Sequence, residues 1–205
     1  MVGGLYIILT VPKGKLEIEI NNHYHPNLDY FFYYITYLGD GAFSIPVIIL
    51  LFFRKIYYGI LSALSFIFST VVVQTIKHFI YPNMPRPSAY FEKTLNLHYV
   101  PYVELWKTNS FPSGHTAGAF TVFLILAIVY KNKYLDVFFF VIAFLVGLSR
   151  VYLLQHFFID TYFGALIGVT ITLFIYYLTA YRANWQENTS LNKSVINLFS
   201  RNEAV

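Results

Sequence analysis

Long apolar runs broken by short polar stretches set the rhythm of this chain. The runs cover 28–53, Ile56–Ile80, 112–130, 134–148 and 157–180. Each reads as a helix, since about 20 apolar residues cross a bilayer core and only closed backbone hydrogen bonding is tolerated there. Arg54-Lys55, Lys131-Asn132-Lys133 and a polar, proline-rich connection at 81–111 punctuate them. That connection, about thirty residues long, exceeds ordinary linkers and marks a functional loop. Inside 28–53, Gly39-Asp40-Gly41 and Pro46 interrupt the apolar pattern. Asp40 is there either as a buried partner for a polar group on another helix or as the site of a helix break.

The ends read differently. The apolar run at 5–11 is too short to span before Pro12-Lys13 and lacks the basic start and small-residue cleavage site of a signal peptide. It is a re-entrant turn, the inner end of a span whose start is missing, or a partial helix. Lys-Leu-Glu-Ile-Glu-Ile at 15–20 alternates charged and apolar residues, as a short interfacial strand or helix does, and 21–27 is a turn carrying His23 and His25. Residues 181–205 are polar and form a flexible cytoplasmic tail. The expected fold is all-α: a polytopic transmembrane bundle of five full spans plus a short or truncated N-terminal segment, in one domain over 1–205.

Composition sharpens this picture. Hydrophobic residues make up 57% and charged ones 12% of the 205 residues, with a mean hydropathy of +0.55. That is too apolar for a soluble domain. The 19 Tyr and 21 Phe suit lipid-facing and interfacial positions. A net charge of +4 without a basic block excludes a nucleic-acid surface. No Cys is present, which excludes disulfides, thiolate nucleophiles and Cys-ligated metals.

Counting crossings puts Lys77, His115, Arg150 and His156 at one membrane face, and Arg54, Lys55, Lys131, Lys133 and the basic tail at the other. Loops free of site residues favour the second face as cytoplasmic. The expected location is a bacterial inner (plasma) membrane, with the site facing the periplasm or exterior.

Three polar clusters share that outer face: Lys77 with Arg86-Pro87; Phe111-Pro112-Ser113-Gly114-His115; and Ser149-Arg150 followed by His156 and Asp160. Ionisable groups beside the hydrocarbon region are functional by default. Snorkelling at the interface is the bland alternative, and the convergence of three clusters speaks against it. Cations, a Ser-Gly turn opening a helix and two His suit a tetrahedral oxyanion. Arg forks onto phosphate oxygens, Lys adds a point charge, and a helix start offers unpaired N–H groups. Gly114 lets the backbone approach closely. One His can attack phosphorus while the other protonates the leaving oxygen and later activates water. If His156 opens a helix, Asp160 one turn later orients it.

Lys-x8-Arg-Pro, then Pro-Ser-Gly-His, then Ser-Arg-x5-His-x3-Asp resembles the type 2 phosphatidic acid phosphatase superfamily, in its membrane-bound lipid phosphatase branch. The resemblance implies that His156 is the nucleophile forming a phosphohistidine, that Asp160 orients it, and that His115 is the general acid. It implies that Lys77, Arg86, Ser113, Gly114 and Arg150 bind the phosphoryl oxygens. No metal and no cofactor are implied, since fixed cations and backbone N–H groups supply the electrostatics. Two features depart from the family: its usual six residues between Lys and Arg-Pro are eight here, and its membrane members usually have six spans. The shorter spacing would land on Met84. Prolines at 82, 85 and 87 break the helix and let a longer loop bring Arg86 back.

The implied partners are a membrane lipid phosphate and the bilayer, with a phosphomonoester or pyrophosphate hydrolysed. A lipid phosphotransferase using the same site and a non-catalytic lipid or anion binder are the alternatives. Undecaprenyl pyrophosphate, phosphatidylglycerol phosphate, phosphatidic acid and lipid A all fit. Ser149 reads as a helix-end hydrogen-bonding group and His78 as a packing or capping residue. His98, Glu104 and Trp106 are candidates for headgroup contact.

Overall fold

The computed structural model describes residues 2–92 and 96–199, and among them all regular structure is helical. Residues 200–205 of the expected tail, with Arg201, lie outside the described residues. The helices are α1 (Val2–Thr10), α2 (Lys15–Asn22), α3 (Pro26–Ile35), α4 (Gly41–Arg54), α5 (Ile56–Thr75), α6 (Pro87–Phe91), α7 (Gly114–Tyr130), α8 (Lys133–Tyr152), α9 (Phe158–Tyr177) and α10 (Val195–Phe199). A 3₁₀ turn, Thr36–Gly39, links α3 to α4, and π turns at Ile76–Ile80 and Leu178–Arg182 extend α5 and α9.

Three helical stretches, Ile56–Ile80, Lys133–Tyr152 and Phe158–Arg182, are long and apolar enough to cross a membrane. The pair Pro26–Gly39 and Gly41–Arg54, bent by 49°, makes a fourth if it is one span. The fifth expected span corresponds to α7, a largely apolar helix of 17 residues with a length of about 25 Å at 1.5 Å per residue. The bend falls at Asp40 rather than at Pro46. Asp40 leaves helical geometry (φ −81°, ψ 154°), and its Oδ1 accepts the Ala42 N–H at 2.8 Å, restarting the helix as an N-cap.

The core sits around α7, which packs against α5, α8 and α9. Lipid tails are as apolar as Leu, so van der Waals fit rather than expulsion from water holds such helices together. Ala119 and Phe123 of α7 interlock with Phe139, Ala143 and Val146 of α8. On the other side α9 presses main chain against main chain. A Cβ on Gly164 would lie 2.5 Å from Ser113 O, and one on Gly168 would lie 2.5 Å from Ala117 O. Glycines four apart on one helix face permit this approach.

The N-terminal run forms α1, which rests on α9 near Tyr162. The alternating stretch at 15–20 becomes the helix α2. Its Glu17 is buried, and Oε1 accepts the Phe158 N–H at 2.7 Å, satisfying an orphan donor at the start of α9. At the opposite face Arg54 covers the Tyr130 ring at 4.6 Å. There residues beyond α9 fold back: Ile56 and Tyr57 donate to Lys193 O and Leu191 O, both at 2.9 Å.

Candidate active site

All three sequence clusters meet where α5 and α8 end and α7 and α9 begin. Ser113 caps α7: its Oγ accepts from Thr116 N at 3.4 Å and from Thr116 Oγ1 at 2.9 Å, and its own N–H donates to Asp160 O at 3.0 Å. The first N–H groups of α7 belong to Gly114 and His115, and they point out of the helix start. A Cβ on Gly114 would meet only Val73, at an ordinary 3.8 Å. The protein's own packing does not require glycine there, in contrast to Gly164.

Arg150 lies in the last turn of α8, is buried, and donates through Nη1 to Thr36 Oγ1 at 2.8 Å. Its carbonyl accepts both Gln155 N and His156 N at 3.0 Å, through a tight turn with Leu154 at φ +53°. That turn is what the five-residue spacer folds into, and it sets the His156 backbone beside Arg150. His156 stands just before a helix rather than opening one; the N-cap of α9 is Phe157. The imidazole still lies over the first turn, with Nδ1 3.5 Å from Asp160 Oδ2. Oδ2 also accepts the Phe157 N–H at 3.0 Å and Ser110 Oγ at 2.5 Å. The carboxylate is thus fixed by two donors while facing the ring. His156 and Asp160 are both about 2% exposed. Burial first, then Arg86, Arg150 and Lys77, hold the His156 imidazole well below the usual histidine range, keeping it neutral.

Arg86 shows how the lengthened loop closes. Its two arms pair through main chain, Arg86 N to Lys107 O and Ser110 N to Met84 O, both at 3.0 Å. The guanidinium donates through Nε to Thr108 O at 2.9 Å, and through Nη1 to Gln155 O at 3.0 Å and Gln155 Oε1 at 3.1 Å. Arg86 therefore abuts the residue preceding His156. Burial lowers its pKa and Asp160 opposes that shift. Lys77, buried in the π turn after α5, lies within the electrostatic reach of Arg86, Asp160 and Arg150. His115 sits at the rim, its side chain 33% exposed, with Nε2 3.4 Å from Asp40 Oδ2. The expected site residues are thus all brought to one place. Asp40, Val73, Gln74, Gly114, His115 and Gly118 line a cavity of about 320 Å³.

Of the other polar residues, Ser149 donates to Val146 O at 2.6 Å within its own helix, and His78 is exposed. His98 stacks on Tyr24 at 3.9 Å and contacts Asp29 at 2.8 Å, tying the outer loop to α3. Gln155 and Ser110 escaped the sequence reading, as did Asp40's contact with His115. Gln155 is 2% exposed and also donates to Glu104 O at 2.9 Å. Only its place next to His156 hinted at this.

Residues 58–184 match the model of the PAP2 superfamily. The chain is 31% identical over 149 residues to phosphatidylglycerophosphatase B of Bacillus subtilis, covering 66% of this chain and 67% of that protein. It is 26% identical over 190 residues to lipid A 4'-phosphatase of Porphyromonas gingivalis, covering 87% of this chain and 77% of that one. The crystal structure of LpxE from Aquifex aeolicus superposes with a TM-score of 0.71 at 34% identity, over 80% of this chain and 93% of the other.

Proposed function

The chain belongs to the PAP2 superfamily, and from that premise we propose that it is a metal-independent membrane lipid phosphatase acting through a phosphohistidine at His156. The observation that carries this is a buried site atom without a hydrogen-bond partner among the described residues, Arg150 Nε, within electrostatic reach of Lys77 and Arg86. Unsatisfied buried polar groups are costly. Beside three cations and a helix start, a phosphoryl group is the ligand whose chemistry suits them.

Nδ1 faces Asp160, so it carries the proton and Nε2 holds the lone pair. Nε2 attacks phosphorus as the bond to the leaving oxygen breaks, and His115 gives that oxygen its proton. His115, now neutral, takes a proton from water. Water oxygen bonds to phosphorus, the P–N bond breaks, and inorganic phosphate leaves. Lys77, Arg86, Arg150 and the Gly114 and His115 N–H groups hold the phosphoryl oxygens, with Ser113 fixing the helix start. Charge developing on those oxygens is stabilised by groups already in place.

The substrate is a lipid phosphomonoester or pyrophosphate, since the site lies at the ends of membrane helices. Five spans in one membrane domain follow if α7 also crosses. Its two ends support this: Ser113 meets Asp160 at one face and Tyr130 meets Arg54 at the other. The basic loops at the Arg54 face orient that face to the cytoplasm and the site outward. Purified protein in detergent, given lipid phosphates and a chelator, should release phosphate. His156→Ala and His115→Ala should abolish or cripple release; undiminished turnover by either would overturn the mechanism.

A further inference from the structure

We infer that Asp40 is a positioning residue for His115, orienting the imidazole that protonates the leaving group and favouring its protonated form against the surrounding cations; this rests on the proposed role of His115 as general acid. Asp40 stands at the break before α4, and its two oxygens have separate tasks. Oδ1 caps the helix through Ala42 N at 2.8 Å, and Oδ2 lies 3.4 Å from His115 Nε2. That separation exceeds a good hydrogen bond, as unliganded catalytic pairs often do before substrate tightens them.

The break is pinned to the same residue it serves. A Cβ on Gly39 would lie 2.5 Å from His115 O, and one on Gly118 would lie 3.0 Å from Gly39 O. The main chain of the break therefore touches the main chain of α7 one residue from Asp40. Little slack separates carboxylate from ring.

Charge gives the contact a purpose. Lys77 from the π turn after α5, Arg86 from the loop and Arg150 from α8 all repel an imidazolium at His115, and Asp40 attracts one. An acid catalyst must arrive carrying its proton amid the cations that bind the substrate. With Nε2–H directed at Asp40, Nδ1–H passes to the leaving oxygen as the P–O bond breaks, and the ring stays neutral with its remaining proton on Nε2. The pair is partly open, with side-chain exposures of 33% and 40%, so its work is orientation as much as charge.

Asp40→Asn separates the two tasks, because Asn caps helices as well as Asp does but carries no charge. The test compares kcat/KM for dioctanoyl phosphatidic acid, whose alkoxide must be protonated, with p-nitrophenyl phosphate, whose phenolate leaves unaided. Asp40→Asn should lose ten- to hundredfold on the first and less than threefold on the second, with an unchanged Tm. His115→Ala should show the same selectivity, larger. Equal losses on both substrates, or no loss, would reduce Asp40 to a helix cap and overturn the inference. A His115→Ala enzyme blind to leaving group would instead overturn the acid role of His115, and the inference with it.

Discussion

Gln155 offers a direct test of how the lengthened loop serves the site. In Gln155→Leu, volume is nearly conserved, so packing is disturbed little. Arg86 Nη1 loses the side-chain acceptor at 3.1 Å but keeps the Gln155 carbonyl at 3.0 Å, while Nε keeps Thr108 O at 2.9 Å. A hydrogen bond to a charged group contributes about 1.5–3 kcal/mol. With the same nitrogen still partnered, about 1–1.5 kcal/mol is the expected loss in holding the fork. At 1.36 kcal/mol per tenfold, that is roughly a five- to thirteenfold drop in kcat/KM. The exposed Glu104 carbonyl, which loses the Gln155 amide, turns to water and adds little. The assay is steady-state phosphate release from a lipid phosphate in mixed micelles, for Gln155→Leu, Arg86→Ala and the double variant. If Gln155 acts through Arg86, the double variant is no slower than Arg86→Ala alone. Additive losses would refute the reasoning, as would wild-type kinetics in Gln155→Leu.

Other expectations follow from the same geometry. Ser110→Ala removes one of the two donors holding Asp160 Oδ2 and should cost about 1–2 kcal/mol of transition-state stabilisation, read as a fall in kcat with KM little changed. Gly164→Ala pushes a methyl to 2.5 Å from Ser113 O; it should lower Tm and activity together, whereas Gly3→Ala, where nothing lies near, should change neither. The pKa of His156 is lowered by burial and three cations, so its neutral form, the one the proposed attack needs, persists below pH 6.5 and the acid limb of kcat/KM contributed by this group should lie beneath that value. The same shift has a sign for stability: as pH falls through the unfolded value near 6.5, the unfolded chain takes up the proton first and unfolding is favoured. His156→Gln should therefore flatten the acid-side decline of Tm.

The helices and the clusters were legible because both leave marks in residue type. Lipid demands apolar side chains over whole spans, and phosphate chemistry demands Arg, Lys and His at helix ends. What was illegible depends on main-chain partners or on distance through space. Arg86 reaches the site through the carbonyls of Thr108 and Gln155, and any residue type has a carbonyl. Glu17 read as one charge in an alternating stretch, yet it caps a helix 141 residues away. Asp40 had two readings, helix break or buried partner. Its two oxygens serve the break and a polar group on another helix at once, though the side chain is 40% exposed rather than buried. Pro46, the stronger breaker by propensity, sits inside α4 while the bend lies at Asp40.

The backbone contact of α9 with α7 has a mechanical consequence. Membranes differ in thickness, and a helix bundle answers by tilting its members. Helices held apart by long side chains can slide during that motion. Gly164 and Gly168 leave α7 and α9 no such cushion, so the two tilt as one stiff plate. Ser113 and Asp160, already joined by a 3.0 Å bond, ride at the same edge of that plate. The start of α7 and the first turn of α9, which together carry Ser113, His115 and Asp160, therefore keep their relative placement when the surrounding lipid changes thickness.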